Sequence, residues 1–481
     1  MELLEHRLAW FIMGTKKASV LMTDAYKFSM AQAGFPLREE TFVLSLRKGG
    51  PFYIPFDLRD TLMAFRPATP SVKEAAFLTA NGYGMTPAME KALSEPLDII
   101  CPPKGTWIPS GTPLATITGP SFLVSWLEPL AIMLNYPVQI GTAMKEGVRE
   151  FTATCKDEAE IIRIVAAMVG VTDFKIHMDP DYDLRVDHTV WSVHLALKGY
   201  CDRAFEVGLR AATCMEQHAK VLGFCKTHGI QKTSNVYGAW KLYMIPVGTT
   251  GHEHQMRWGH DDRIGYRAIR DMRPEPPSFL FDTTNPMRGI DGAFEVMAED
   301  WRPASMRFDS GDQDAQLRKI VDLAGTGENP MPNLIFEDSY TAEKTTANEI
   351  LCDSLGWPIA KRMYGYGGFF VSQPHKTPYN RDVVSAAYKL SKTAGRAVRK
   401  LGGSVGKRSI PGVPVLYVPK TPSEEMGSVY MIAQDREEVP GFRPLLAIEK
   451  DMKKPNEIKV IQSPATQALV ADLEKLEAEW A

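Results

Sequence analysis

The sequence predicts an α/β fold: an irregular parallel βα barrel with an α+β front domain built from the N-terminal part and the C-terminal tail. Three observations predict it. Between about Phe205 and Leu390, seven short apolar runs each end in a charged or small polar residue and lead into a helical segment. Parallel strands need such crossovers, and the polar ends would gather at one mouth of the barrel. One unit shows the pattern in detail, since Leu317, Ile320, Val321 and Ala324 after Asp312 stand at i, i+3, i+4 and i+7, one face of a helix. The chain before about Val169 instead mixes β-forming stretches, broken by Gly and Pro, with long apolar helical ones.

Taken in order, residues 1–18 read as an N-terminal extension whose apolar patch, Leu8 to Met13, is too short and poorly flanked for a secretory signal. Residues 19–169 form the front domain. There GTWIPSGTPLATITGP, from Gly105 to Pro120, gives short strands and turns, and SFLVSWLEPLAIMLNY is apolar at helical spacing. Residues 170–400 form the barrel. Its strand ends are Arg210, Ser234, His252, Asp282, Asp309, Asp338 and Gly368. Within it, 170–204 reads as a possible inserted loop, because Lys175 to Trp191 shows no clear period. Residues 401–481 are richer in Gly and Pro, then polar, and end in the helix-like LVADLEKLEAEW, expected to pack back on the front domain.

Of the 481 residues, 44% are hydrophobic, 10% aromatic and 23% charged, the proportions of an ordinary globular protein able to bury a large core. The formal net charge of -3 supplies no field that would gather nucleic acid or an anionic membrane, so anion binding must come from local clusters. No uninterrupted apolar run reaches the ~20 residues that span a bilayer. The six cysteines, Cys101, Cys155, Cys201, Cys214, Cys225 and Cys352, are scattered without metal-ligand spacing and read as free thiols of a reducing cytoplasm.

Acids after strands often cap the next helix, and any one of Asp282, Asp309 and Asp338 could do only that. Three converging on one mouth, with Arg307, can hold ribose hydroxyls, bind Mg²⁺ or stabilise positive charge on a sugar. Gly365, Gly367 and Gly368 follow an apolar strand, where bare amides can cradle a phosphate; a tight turn is the plainer explanation. His252 lies in HEHQM, which fails the H-E-x-x-H zinc motif because position 256 is Met. It reads as a buried structural histidine or a nucleophile.

TDAYKFSMAQAGF, from Thr23 to Phe35, is similar to the N-terminal signature of the nicotinate phosphoribosyltransferases. LRKGG, GTPLATITGP with WLEPLAIMLNY, GLR, KTSNVYGA, PVGTTGHEH, RFDSGD and YGYGG resemble further motifs of that family in the same order, from about residue 20 to 420. The resemblance implies a type II phosphoribosyltransferase-like barrel. It implies transfer of phosphoribosyl from phosphoribosyl pyrophosphate to nicotinate, giving nicotinate mononucleotide and pyrophosphate in NAD salvage, with ATP and Mg²⁺. By the same resemblance His252 is the histidine that ATP phosphorylates, Asp309 and Asp338 flank the ribose, and Arg307 lies near substrate or leaving phosphates. Tyr26 would stack on the pyridine from the neighbouring subunit of a homodimer, with active sites at the interface. Arg210 would meet a carboxylate or phosphate, and Arg47 a phosphate; Asp282, Gly367 and Gly368 complete the substrate contacts.

Two positions depart from the family pattern. Ala211 replaces the second arginine of a pair, and Val207 stands where related enzymes place an aromatic that completes the ring sandwich. The nearest alternative is a nicotinamide phosphoribosyltransferase. Ser234 separates the two, because the amide-using enzymes carry an aspartate there, which accepts from a carboxamide and repels a carboxylate. A catalytically silent relative that only binds nucleotide is the other alternative.

Overall fold

The computed structural model describes residues 3–273, 276–401, 409–421, 428–447, 452–455 and 457–480. A front domain built on an antiparallel five-stranded sheet sits against a curled sheet of seven parallel strands. In the front sheet Arg396–Ala397, Ala386–Thr393, Glu39–Leu46, Pro113–Pro120 and Asp98–Ile100 lie side by side. The central strand Glu39–Leu46 is covered on both faces, which buries Glu40 and Thr41 along with Phe42, Val43 and Leu44. Beside it the helices Ser121–Trp126, Glu128–Met133 and Asn135–Lys145 are buried almost all round, which is why that stretch is apolar on every face.

The N-terminal helix Leu4–Met13 is part of this core rather than an appendage. Leu8, Ala9, Ile12 and Met13 are buried, the helix packs on Lys156–Val169, and Gly14 ends it in the left-handed conformation at φ 66°.

The seven parallel strands are Ala204–Glu206, Lys232–Thr233, Ile245–Pro246, Ser278–Leu280, Ser305–Phe308, Asn333–Phe336 and Arg362–Tyr366. Each expected run supplies one strand. The sheet order places Ile245–Pro246 at one edge and Ser278–Leu280 at the other, so it is a half-barrel, open between these two. Phe308, Phe336 and Tyr364 are register partners and stack at 4.6 and 5.4 Å between ring centroids. Side chains alternate along a strand, so Arg307 and Glu337 project to the opposite face and meet there. Asp312 accepts from the Ala315 amide to start the helix Gln313–Gly325, with Leu317 and Ile320 buried as expected.

The expected inserted loop is ordered secondary structure instead. Lys175–Met178 pairs parallel with Glu150–Ala153, and Tyr182–Ala196 is a helix. Its buried stripe, Tyr182, Val186, Val190 and Val193, is narrow, and exposed Leu184, Trp191 and Leu195 blur the period that would have revealed it.

After the barrel the chain returns to the front domain. Ala386–Thr393 pairs with Glu39–Leu46 although it lies inside the span assigned to the barrel. The tail adds a sheet in the order Phe442–Pro444, Pro414–Pro419, Ser428–Gln434 and Ile458–Gln462, then the helix Pro464–Trp480. It meets the front domain where the Thr116 hydroxyl donates to Pro414 O at 2.5 Å and the Tyr430 hydroxyl to Trp107 O at 2.7 Å.

Candidate active site

The strand ends open on a cavity of about 700 Å³ between the half-barrel and the front domain. His252, Arg307, Asp309, Asp338, Arg210, Arg47, Gly367 and Gly368 all line it, so the structure brings together most of the residues singled out in the sequence. A narrow cleft adjoins it, lined by Tyr26, Asp24, Ser234, Val207, Arg210 and Arg307 among others.

Arg307 is the centre of the barrel side. Its Nη2 lies 2.7 Å from Asp309 Oδ1 and 2.8 Å from Glu337 Oε2, and its Nη1 donates to Thr250 O at 2.6 Å. The arginine, with His252 hydrogen-bonded to it, holds the Asp309 carboxyl well below the usual carboxylate range against the effect of burial. Glu337, by contrast, is raised by burial. The sequence had pointed to Asp338. That residue does line the cavity, but it sits at φ 74° beyond the strand end, and Glu337 is the acid bound to Arg307. Strand alternation accounts for this: Arg307 pairs in register with Ile335, so Glu337 is the next residue on the same face as Asp309.

His252 begins the helix His252–Trp258. Its Nε2 lies 3.0 Å from Asp309 Oδ2, and its Nδ1 lies 3.1 Å from Thr283 Oγ1. Asp309 and the Lys400 ammonium both meet Nε2, the one as acceptor and the other as donor, while Nδ1 faces the Thr283 hydroxyl. Burial and the nearby Lys400 ammonium lower the imidazole pKa, so the ring is neutral and nucleophilic near neutral pH.

Asp282 stands one layer back. It is fully buried, its carboxylate accepting from Lys400 Nζ at 2.7 Å and from the Ser310 hydroxyl. It therefore orients Lys400 rather than facing the cavity as a substrate contact. His252, Asp282 and Asp309 also lie close enough together to hold a metal ion, but the Lys400 ammonium is already among them, 3.2 Å from His252 Nε2. A cation is thus built into the cluster, and it offers no all-protein metal cage.

The front domain supplies most of the cations. Arg47 binds the carbonyl and hydroxyl of Ser385 at 3.1 and 3.0 Å, and Arg381, Lys389 and Lys400 join it around the cavity. Burial pushes the Lys389 ammonium down to about 8. Sequence reasoning missed Arg381, Lys389 and Lys400, which follow the barrel in a segment without a chemical motif.

Tyr26 lines the cleft beside Ser234 of the same chain. Ala25 N donates to Ser234 O at 2.8 Å and Val236 N to Thr23 O at 3.1 Å, which fastens the N-terminal segment to a barrel strand end. A Cβ on Gly248 would lie 2.5 Å from Tyr26 N, so only glycine permits this approach. The Tyr26 hydroxyl donates to Glu128 at 3.2 Å, and Glu128 also binds Lys27 at 2.5 Å and Arg210 at 3.2 Å. Ser234 does reach the cleft, but its hydroxyl donates to Asp24 Oδ1 at 2.6 Å and is not free for a ligand as expected.

The half-barrel with its front domain is a fold that the chain shares with solved nicotinate phosphoribosyltransferases. Among solved structures, the chain is similar to nicotinate phosphoribosyltransferase from Porphyromonas gingivalis at 20% identity, covering 82% of this chain and 96% of that one with a TM-score of 0.58. It is likewise similar to nicotinate phosphoribosyltransferase from Vibrio cholerae at 16% identity, covering 83% and 92% with a TM-score of 0.60. No protein-family model and no curated protein matches the sequence.

Proposed function

We propose that this protein is an enzyme that transfers phosphoribosyl from phosphoribosyl pyrophosphate to nicotinate, yielding nicotinate mononucleotide and pyrophosphate in NAD salvage. One observation carries the reading: a single cavity sets Arg47, Arg381, Lys389 and Lys400 beside the acids Asp309 and Glu337, with a narrow cleft holding Tyr26 and Asp24 adjoining it. The cations suit the phosphates. The ionised Asp309 suits positive charge developing at the sugar carbon as pyrophosphate departs, the kind of electrostatic stabilisation that carries most of such a barrier. Arg307 keeps Asp309 ionised and fixed. Similarity to the solved nicotinate phosphoribosyltransferases supports the same reading at the level of fold.

His252, which lines the cavity with its Nε2 beside Asp309 and its Nδ1 against the Thr283 hydroxyl, is the group we assign to phosphorylation by ATP. Lys400, 3.2 Å away, would offset the added negative charge. Mg²⁺ would enter with the pyrophosphate group and screen its charge, since the protein cluster already holds Lys400. The free cysteines fit a reducing cytoplasm, and among the described residues no helix is long and apolar enough to cross a membrane. Tyr26 lines the cleft from the same chain, and the dependence of activity on the homodimer that the resemblance implies is read by dilution.

Nicotinamide is the second reading, favoured by the Asp24 carboxylate beside Ser234. The test is mass spectrometry of products after incubation with phosphoribosyl pyrophosphate, Mg²⁺ and equal amounts of nicotinate and nicotinamide, with and without ATP. Nicotinate mononucleotide stimulated by ATP is the expected product; nicotinamide mononucleotide would establish the second reading, and no product would indicate a nucleotide-binding relative. His252→Asn is expected to abolish the stimulation while leaving slow ATP-independent transfer.

A further inference from the structure

Asp24 is 2% exposed and held from three sides. Its backbone bridges to Asn235, its Oδ1 accepts from Ser234 at 2.6 Å, and it stands at the N-terminus of the helix Ala25–Gln32 without capping it. Its second oxygen, Oδ2, is buried and has no hydrogen-bond partner. A buried polar atom without a partner is costly, and in a site it marks where a ligand's group completes the bonding. Here Asp24 lines the narrow cleft together with Tyr26 and Arg210, so a carboxylate or carboxamide reaching in from the large cavity meets an aromatic and a cation beside it.

We propose that Asp24 selects the base through its free oxygen: protonated, Oδ2 donates to the carboxylate of a pyridine carboxylate paired with Arg210, and ionised, it accepts instead from a carboxamide NH₂. The proposal rests on the phosphoribosyltransferase reading and assigns it a selectivity that turns with pH. Ser234 is then a positioning residue. By donating to Oδ1 it settles which oxygen of Asp24 carries the proton.

The charges around Asp24 come from every packed element. Burial raises its pKa most; Arg210, the Ser234 hydroxyl and Lys27 lower it, and Glu128 raises it. Arg307 and Glu337 face the same cleft from the barrel. The net effect is upward, so the acid form persists to a higher pH than an ordinary aspartate allows. A bound carboxylate would add a second negative charge beside it and favour the proton further.

The experiment measures kcat/KM for nicotinate and for nicotinamide from pH 4, near the ordinary aspartate value, up to pH 9 in the wild type, Asp24→Asn and Ser234→Ala. In the wild type the value for nicotinate falls about tenfold per pH unit once Asp24 ionises, while that for nicotinamide does not fall with it. Asp24→Asn presents an N–H donor that cannot ionise, so its nicotinate profile is flat over the same range. Ser234→Ala removes a hydrogen bond to the charged form and moves the wild-type fall roughly one pH unit upward.

Calorimetry of nicotinate binding in buffers of different ionisation enthalpy reads the same event without turnover. The wild type takes up as much as about one proton per nicotinate above the Asp24 pKa, and Asp24→Asn takes up none. A wild type that forms mononucleotide with a profile shared by Asp24→Asn would overturn the inference and leave the activity standing. Nicotinate binding with proton uptake that disappears in Asp24→Asn, but without product, would sustain the inference and sink the activity. Failure of the wild type to bind nicotinate at any pH would overturn both.

Discussion

Lys27 offers the sharpest test of how the two domains are joined. Its side chain is fully buried, and its ammonium lies 2.5 Å from Glu128 and 2.7 Å from Glu253. Lys27→Met removes the cation and leaves both carboxylates buried. They do not suffer equally. Glu128 keeps Arg210 and the Tyr26 hydroxyl, each at 3.2 Å, whereas Glu253 keeps only the Ser125 hydroxyl at 2.7 Å. Stripping one partner from a buried ion pair costs about 3–5 kcal/mol, and the cost here falls mainly on Glu253. Taking the low end, about 3 kcal/mol, and roughly 2–4 °C per kcal/mol for a domain of intermediate size, thermal unfolding should move down by about 6–12 °C. Adding Glu253→Gln removes the stranded charge while keeping a partner for Ser125, and should restore more than half of the loss. Scanning calorimetry on both variants decides it. A single variant within 1–2 °C of wild type, or a double variant that loses the sum of two separate penalties, would refute the argument that Lys27 neutralises a buried pair of acids.

Two further predictions concern the site itself. Because burial brings the Lys389 ammonium to about 8, the free enzyme loses that charge above pH 8, and KM for phosphoribosyl pyrophosphate should rise from there; Lys389→Arg should abolish the rise in KM measured between pH 7 and 9. Since Tyr26 reaches the cleft within one chain, specific activity should not fall on dilution to concentrations at which sedimentation shows monomers, and Tyr26→Ala should raise KM for the base about tenfold, equivalent to roughly 1.4 kcal/mol.

The barrel was legible because each of its strands ends in a residue that breaks the apolar run, and each following helix carries its own stripe. Registry was harder. The sequence pointed to Asp338 alone, and only the pairing of Arg307 with Ile335 shows that Glu337 shares a face with Asp309. The helix Tyr182–Ala196 was unreadable for a different reason, its exposed Leu184, Trp191 and Leu195 adding apolar residues outside the buried stripe. Lys389 and Lys400 could not have been found by motif. They matter only because Ala386–Thr393 pairs with Glu39–Leu46, some 340 residues earlier in the chain, a long-range contact that local periodicity does not report. The same holds for Asp24, whose neighbour Ser234 is 210 residues away.

That long return also explains how the charges of the cavity are divided. The half-barrel contributes His252, Arg307, Asp309 and Glu337, which bind one another and leave little free positive charge. Arg47, Arg381 and Lys389 arrive with the front domain and the segment leading back to it, and Lys400 follows on the same returning chain, where Leu401 N donates to Thr283 O at 3.1 Å. The proposed phosphoribosyl substrate would therefore meet cations on one wall and acids on the other only when the two domains are docked. Lys27 and Arg210, both bound to Glu128, lie along that same contact, so the groups that hold the domains together are continuous with those that face the base. Loosening the contact should weaken phosphate and base binding together, and an enzyme built this way cannot be divided into an anion-binding half and a catalytic half.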